Sequence, residues 1–295
     1  MKYIEKYGYI PSDDIARSLQ NFAGNLDVLA NPEVFRQCFS FMDLTTLHSN
    51  DTPMSVKKLV DKVTTLTQER PDYPLPASIC VYPNFASVVR DNRCSPELHV
   101  TTVAGCFPSS QSFTDIKVVE CEMAVQNGAD EVDIVLSLHD FLSGNEISAF
   151  EEISAIRKAV DLAGNQEGRK IILKVILETG LLVTPELIAE ASLLAMEAGA
   201  DFIKTSTGKV DVNATPSAAY VMCQCIKLFA RKTGKKVGFK AAGGISNAKD
   251  ALCYYSIVNG ILGSEWMNKE LFRFGVSRLG NSLMSAIEQT NVNFF

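Results

Sequence analysis

Eight short apolar runs, each followed by a longer stretch of helical spacing, fill the sequence from residue 41 onward and constrain the fold more than any other feature. The runs are FMDL at 41–44, SICVYP at 78–83, HVTTVAGCF at 99–107, EVDIVLS at 131–137, KIILKVILE at 170–178, DFIKTS at 201–206, VGFKAAGG at 237–244 and GILGSE at 260–265. Between them lie segments such as TPELIAEASLLAMEAG and TPSAAYVMCQCIKLFARKTG, where a Thr cap precedes Pro at the first helical position. A final amphipathic helix is expected from about Ser277 to Gln289. Parallel strands need crossover helices, and eight such units close on themselves, so the pattern predicts an α/β fold, a (β/α)8 TIM barrel. An open, doubly wound sheet is the alternative. Ahead of the runs, PSDDIARSLQNFA opens with Ser12 and acidic residues, and NPEVFRQCFS opens with Asn31 before Pro32, so residues 11–40 read as one or two helices. The expected organisation is an N-terminal helical extension over 1–35 and one catalytic barrel over 36–295, which suits a chain of 295 residues.

Composition narrows the function. Apolar residues make up 46% of the chain and charged ones 21%, ordinary values for a packed globular protein. A net charge of -6 argues against general affinity for nucleic acid or an anionic membrane. The first residues, MKYIEKYGYIPSDD, lack the apolar core of a secretory signal, and no run approaches a membrane span, so the cytoplasm is the expected compartment. The eight cysteines form no CxxC pair and read as reduced core residues; Cys223 and Cys225, two apart on a helix, point to different faces and make a poor metal pair. The three histidines, His48, His99 and His139, follow no metal-ligand spacing.

The chemistry sits in charges that interrupt the apolar runs. Asp133 lies in EVDIV, Lys174 in ILKVI, Lys204 in FIKTS and Lys240 in GFKAAG, one on each of four consecutive strands. A charge in mid-strand, with helices covering the outer face, is expected to point into the barrel. Three amines and one carboxylate in such a place leave two positive charges uncompensated if all are ionised, so at least one lysine is expected to be neutral near pH 7. That is the condition for a lysine nucleophile: desolvation and a neighbouring cation lower its proton affinity. Asp43, in FMDLT, adds a carboxylate to the network, and Glu178, in ILETG, lies near the top of the fifth strand. Cys80, within the second, reads as a small core residue.

A second group suggests an anion site. Thr207, Gly208 and Lys209 follow the sixth strand, Gly243, Gly244, Ile245 and Ser246 follow the seventh, and Gly275, Val276, Ser277 and Arg278 open the last helix. Glycines allow the backbone to approach an anion, helix N-termini aim N–H groups at it, and barrels often hold phosphate at this end.

These residues stand in motifs that closely resemble those of deoxyribose-phosphate aldolases, Schiff-base enzymes built on a (β/α)8 barrel. The resemblance runs over residues 36–289 and is carried by MDLTTL at 42, GADEVDIV at 128, LKVILETG at 173, ADFIKTSTGKV at 200 and VGFKAAGG at 237. It implies reversible cleavage of 2-deoxyribose 5-phosphate to glyceraldehyde 3-phosphate and acetaldehyde, a step of deoxyribonucleotide catabolism. By the same resemblance Lys204 forms the Schiff base, Lys240 lowers its pKa, and Asp133 with Lys174 and a water relays protons. Asp43 and Thr207 assist at the substrate, and phosphate contacts Gly208, Lys209, Gly243, Gly244, Gly275 and Ser277. No cofactor or metal is required, because the iminium itself is the electron sink. The partners implied are a sugar phosphate, an aldehyde and further copies of the chain, with a dimer as the first expectation. Three positions depart from the family pattern: Ser246 stands where Arg is frequent, with Arg278 able to return a charge from the next loop; Ala241 replaces a proline; and the chain ends NVNFF where many relatives carry a tyrosine that assists proton transfer. The alternatives are another Schiff-base barrel aldolase or transaldolase, and a catalytically silent barrel that binds a sugar phosphate.

Overall fold

In a computed structural model, which describes residues 1–12 and 14–295, eight parallel strands close into a barrel in chain order. They are β1 (Met42–Thr45), β2 (Ser78–Val81), β3 (His99–Val103), β4 (Glu131–Val135), β5 (Ile172–Ile176), β6 (Phe202–Lys204), β7 (Gly238–Ala242) and β8 (Phe272–Val276). Seven coincide with the predicted runs. The eighth does not: residues 260–262 of GILGSE finish a helix, and Ser264–Trp266 form a 3-10 turn. A short apolar run at the end of a helix has no period of its own, while the real strand, FRFGV, is disguised by an arginine and a glycine.

Among the described residues, thirteen α-helices accompany the strands. Ahead of β1 come α1 (Lys2–Tyr7), α2 (Ile15–Ala23), α3 (Leu26–Leu29) and α4 (Pro32–Ser40); Asp13, one of the acidic residues read at the start of the second of these, lies outside the described residues. The outer ring is α5 (Pro53–Glu69), α6 (Ala86–Asn92), α7 (Thr114–Gln126), α8 (Leu138–Leu142), α9 (Glu146–Gln166), α10 (Pro185–Glu197), α11 (Pro216–Thr233), α12 (Ala248–Leu262) and α13 (Leu279–Glu288). Four of them begin alike. Asn31, Thr52, Thr184 and Thr215 each accept a backbone N–H from three residues on, and proline occupies the following position, where its missing donor is not needed.

The extension sheathes the outer helices. Glu190 on α10, fully buried, accepts the N–H groups of Tyr3 at 2.8 Å and Ile4 at 2.7 Å, placing a carboxylate at the N-terminus of α1. Tyr7 packs against Phe229 of α11, and Phe22 of α2 lies where a side chain at Gly260 of α12 would have to go. The helix α4 runs unbroken through residues 35 and 36 and packs on α13.

Alternation along the strands sorts the side chains. In β4, Val132 and Ile134 join the apolar layer under the helices, while Glu131 and Asp133 share the barrel interior. At the lower end of that interior the ring of Phe202 fills the space above Gly238, where an added Cβ would lie 2.3 Å from the ring. Gly238→Ala is therefore expected to overpack the barrel and destabilise it by about 1–3 kcal/mol. The urea midpoint measures this, and an unchanged midpoint would show that Phe202 moves aside freely.

Candidate active site

The register of the barrel sets charged residues side by side. Asp133 is the Cα partner of Lys174, Lys204 of Lys240, and Lys240 of Arg273. Lys174 Nζ lies 2.8 Å from Asp133 Oδ1, while Lys204 and Lys240 each place Nζ 2.8 Å from Asp133 Oδ2. Lys240 also reaches Asp43 at 2.5 Å, and Lys174 pairs with Glu131. Arg273 joins the far side, 2.6 Å from Asp43 and 2.8 Å from Glu131. The expected lysines and aspartates thus meet, and two residues absent from the expectation complete the group. Glu131 carries a legible signal, since it stands two residues before Asp133 and so on the same face. Arg273 carries none so long as the eighth strand is placed at 260–265.

Four cations, Lys174, Lys204, Lys240 and Arg273, therefore face three carboxylates, Asp43, Glu131 and Asp133. That leaves one excess positive charge, and Lys204 is the lysine of the group whose proton affinity is lowered. Burial pushes the Lys204 amine below the ordinary lysine value; Asp133 opposes this, and Lys240 assists it. Lys240 and Lys174 are also fully buried, yet their carboxylate neighbours outweigh burial and hold both ammonium groups above the ordinary value. For Asp133, Asp43 and Glu131 burial favours the neutral acid, but the surrounding cations win and hold all three well below the usual carboxylate range. Cys80 is buried beside Leu47 and Val103, and burial pushes its thiol up, away from nucleophilic chemistry.

Above this group opens a pocket of about 240 Å³. Lys204 is the one member of the buried charge group that lines it. Every residue expected at the anion site lines it too: Thr207, Gly208, Lys209, Gly243, Gly244, Gly275, Ser277 and Arg278. Lys209 and Arg278 bring positive charge, and no carboxylate is among the lining residues. His48, set aside on sequence grounds, stands on the rim, and His99 bonds Glu131 beneath the floor. Gly275 belongs to β8 and does not open a helix; an added Cβ there would meet Ala242 at 2.8 Å and Lys240 Cε at 3.1 Å, so the glycine makes room for the buried amine. Gly243 is required twice over, by a φ of +85° and by Asn213, whose side chain would be 2.6 Å from a Cβ. The last residues of the chain stay outside the pocket: Asn281 accepts the N–H groups of Phe294 and Phe295, and the Phe295 ring presses on Gly280 of α13.

The sequence model for DeoC/LacD family aldolases matches residues 38–253, most of the chain and most of the barrel. The chain belongs to the DeoC/LacD aldolase family. It is 40% identical over 270 residues, 91% of this chain and 86% of the relative, to a Caenorhabditis elegans protein provisionally named a deoxyribose-phosphate aldolase. A crystal structure from Coccidioides immitis with the same provisional name is similar at 28% identity and a TM-score of 0.67, covering 82% of this chain and 83% of the other. The deoxyribose phosphate aldolase of Aeropyrum pernix, described as a tetramer, is similar at 25% identity and a TM-score of 0.67 over 93% and 98% of the two chains. Among the DeoC/LacD aldolases this chain is thus matched in sequence and in fold along nearly its whole length.

The three depressed carboxylates stabilise the folded aldolase only while ionised. Their folded pKa values lie below the ordinary 3.8 for aspartate and 4.5 for glutamate, so the contribution is complete above about pH 5 and is lost as pH falls through and below those ordinary values. Urea unfolding across pH 7 to 3 is expected to show a steep loss of stability beginning near pH 4.5, reduced in Glu131→Gln. A flat profile over that range would contradict the ion pairing described.

Proposed function

We propose that this aldolase reversibly cleaves 2-deoxy-D-ribose 5-phosphate to D-glyceraldehyde 3-phosphate and acetaldehyde through a Schiff base on Lys204. One observation carries the reading: of the three lysines in the buried charge group only Lys204 reaches the pocket, and it alone of the three has its proton affinity lowered. A neutral amine at the pocket floor is a nucleophile for an aldehyde carbon. Two cations at the mouth, Lys209 and Arg278, suit a phosphate at the opposite end of the substrate.

In this reading the Lys204 amine adds to C1 of the open-chain sugar, and loss of water gives an iminium. A base takes the proton from the C3 hydroxyl, the C2–C3 electron pair moves into the enamine, and glyceraldehyde 3-phosphate leaves. Protonation of the enamine at C2 and hydrolysis then release acetaldehyde and restore the amine. Asp133 is proposed to manage these protons with Lys174 and a water, because its two oxygens already touch Lys174 on one side and Lys204 on the other. A water is also proposed where many relatives use a tail tyrosine, since Phe294 and Phe295 are held on α13. Lys240 keeps Asp133 Oδ2 shared and so prevents a full ion pair with Lys204.

Phosphate is proposed to lie against Gly208, Gly243, Gly244 and Ser277, with Arg278 supplying the charge that Ser246 lacks. Self-association, a dimer first, belongs to the same proposal and is supported by the tetrameric Aeropyrum pernix relative. The eight free cysteines, with Cys94 exposed among them, support a reducing compartment such as the cytoplasm.

Acetaldehyde and borohydride are expected to leave one reduced adduct, at Lys204, located by peptide mass mapping. An adduct at another lysine, or none, overturns the assignment, and phosphate-ester binding without cleavage would favour a silent barrel. Lys240→Leu is expected to slow imine formation at neutral pH by about tenfold or more, with the rate recovering as pH rises toward the ordinary lysine pKa of about 10.4. A variant as fast as the parent at pH 7 removes Lys240 from the account.

A further inference from the structure

Glu178 combines two unfavourable features at one residue beside the pocket. It sits just past β5 in left-handed backbone, φ +54°, where a side chain other than Gly or Asn is out of place. It is also a buried carboxylate, 2% exposed, whose hydrogen bonds come from Thr207 and from no charged group. The surroundings hold it there. Thr179 N–H donates to Thr205 O at 2.9 Å, and Gly180 lies so close to Val212 O that a Cβ would be 2.0 Å from it. Strain of this kind, tightly determined by its neighbours and adjoining a site, points to a task at that site.

Its contacts define the task. Glu178 Oε1 accepts the Thr207 N–H at 3.1 Å, and Oε2 accepts the Thr207 hydroxyl at 2.5 Å. The same hydroxyl oxygen accepts the Lys209 N–H at 3.0 Å, closing a tight turn over Gly208, whose φ is +80°. Both donors of Thr207 are thereby drawn away from the pocket it lines. Among the described residues the Gly208 N–H has no protein acceptor, and Lys209 extends across the mouth to Leu47 O at 2.7 Å. The turn begins three residues after Lys204 and is fixed from behind by a carboxylate on the neighbouring strand's loop.

We propose that Glu178 is a positioning residue for phosphate-ester binding: it orders the Thr207–Lys209 turn so that the Gly208 N–H and the Lys209 ammonium face the anion. This rests on reading the pocket as a phosphate-ester site. Glycine at 178 suits the backbone better than glutamate, so Glu178→Gly separates the two roles: it relieves the strained φ while removing the clamp. Glu178→Gln keeps the acceptor for the Thr207 N–H, and Thr207→Val removes the hydroxyl from the opposite side.

The direct readout is calorimetric binding of inorganic phosphate, alongside borohydride trapping of acetaldehyde at Lys204 and the KM and kcat for deoxyribose 5-phosphate. Glu178→Gly is expected to weaken phosphate binding and raise KM by about tenfold or more, with kcat and acetaldehyde trapping within about threefold of the parent. Glu178→Gln should fall between the two, and Thr207→Val should shift phosphate affinity in the same direction as Glu178→Gly. Parent-like phosphate affinity in Glu178→Gly and Thr207→Val overturns the proposal, as does equal loss of trapping and phosphate binding, the mark of a general structural role. Should Glu178→Gly fail to fold, Thr207→Val alone decides. A parent that binds phosphate but does not cleave the sugar defeats the proposed substrate, and Glu178 is then still judged by the phosphate series.

Discussion

One carboxylate shared by three lysines underlies the rest of the site. Asp133 accepts Lys174 on one oxygen and both Lys204 and Lys240 on the other. Such a cluster is stable only when its buried members are paired, since an ion left alone in a barrel interior is far more costly than one in water. Asp43, Glu131 and Arg273 complete the pairing. The closed barrel supplies the dry interior, and its register supplies the neighbours. What remains is a single excess positive charge, and the amine best placed to shed it is the one that meets solvent in the pocket.

That arrangement explains why so much of the site was legible before any coordinates. A lysine or aspartate in the middle of an apolar strand breaks a strong pattern, and four such breaks on consecutive strands can only converge if the strands curve around one axis. Asp43, Asp133, Lys174, Lys204 and Lys240 were all visible in this way. Glu131 was legible as well, two residues before Asp133 and so on the same face, although it stands at the first position of its strand. Arg273 and the true place of Gly275 were hidden together, because FRFGV has too few apolar neighbours to compete with GIL at the end of α12. The strained backbone at Glu178 leaves no trace in composition or period; only tertiary packing reveals it. The helix α1 was likewise unmarked, being six residues long and held by a partner far along the chain.

Two positions that depart from the family pattern line the pocket. Ser246 and Arg278 line the same mouth, so moving a guanidinium from one loop to the next preserves the charge while changing the direction from which it approaches. The loop carrying Arg278 also begins α13, whose first turn is covered by Phe295 and tied to the tail through Asn281. The tail thus supports the helix that follows Arg278 and stays outside the pocket.

The docking of α1 has a practical side. Glu190 is fully buried on α10, and α10 packs against β6, the strand that carries Lys204. Its carboxylate accepts the backbone N–H groups of Tyr3 and Ile4. A fusion partner or affinity tag that unwinds the first turn of α1 would leave the Glu190 carboxyl without these partners inside the helical layer behind Lys204, so the choice of which end to tag bears on the integrity of β6 itself.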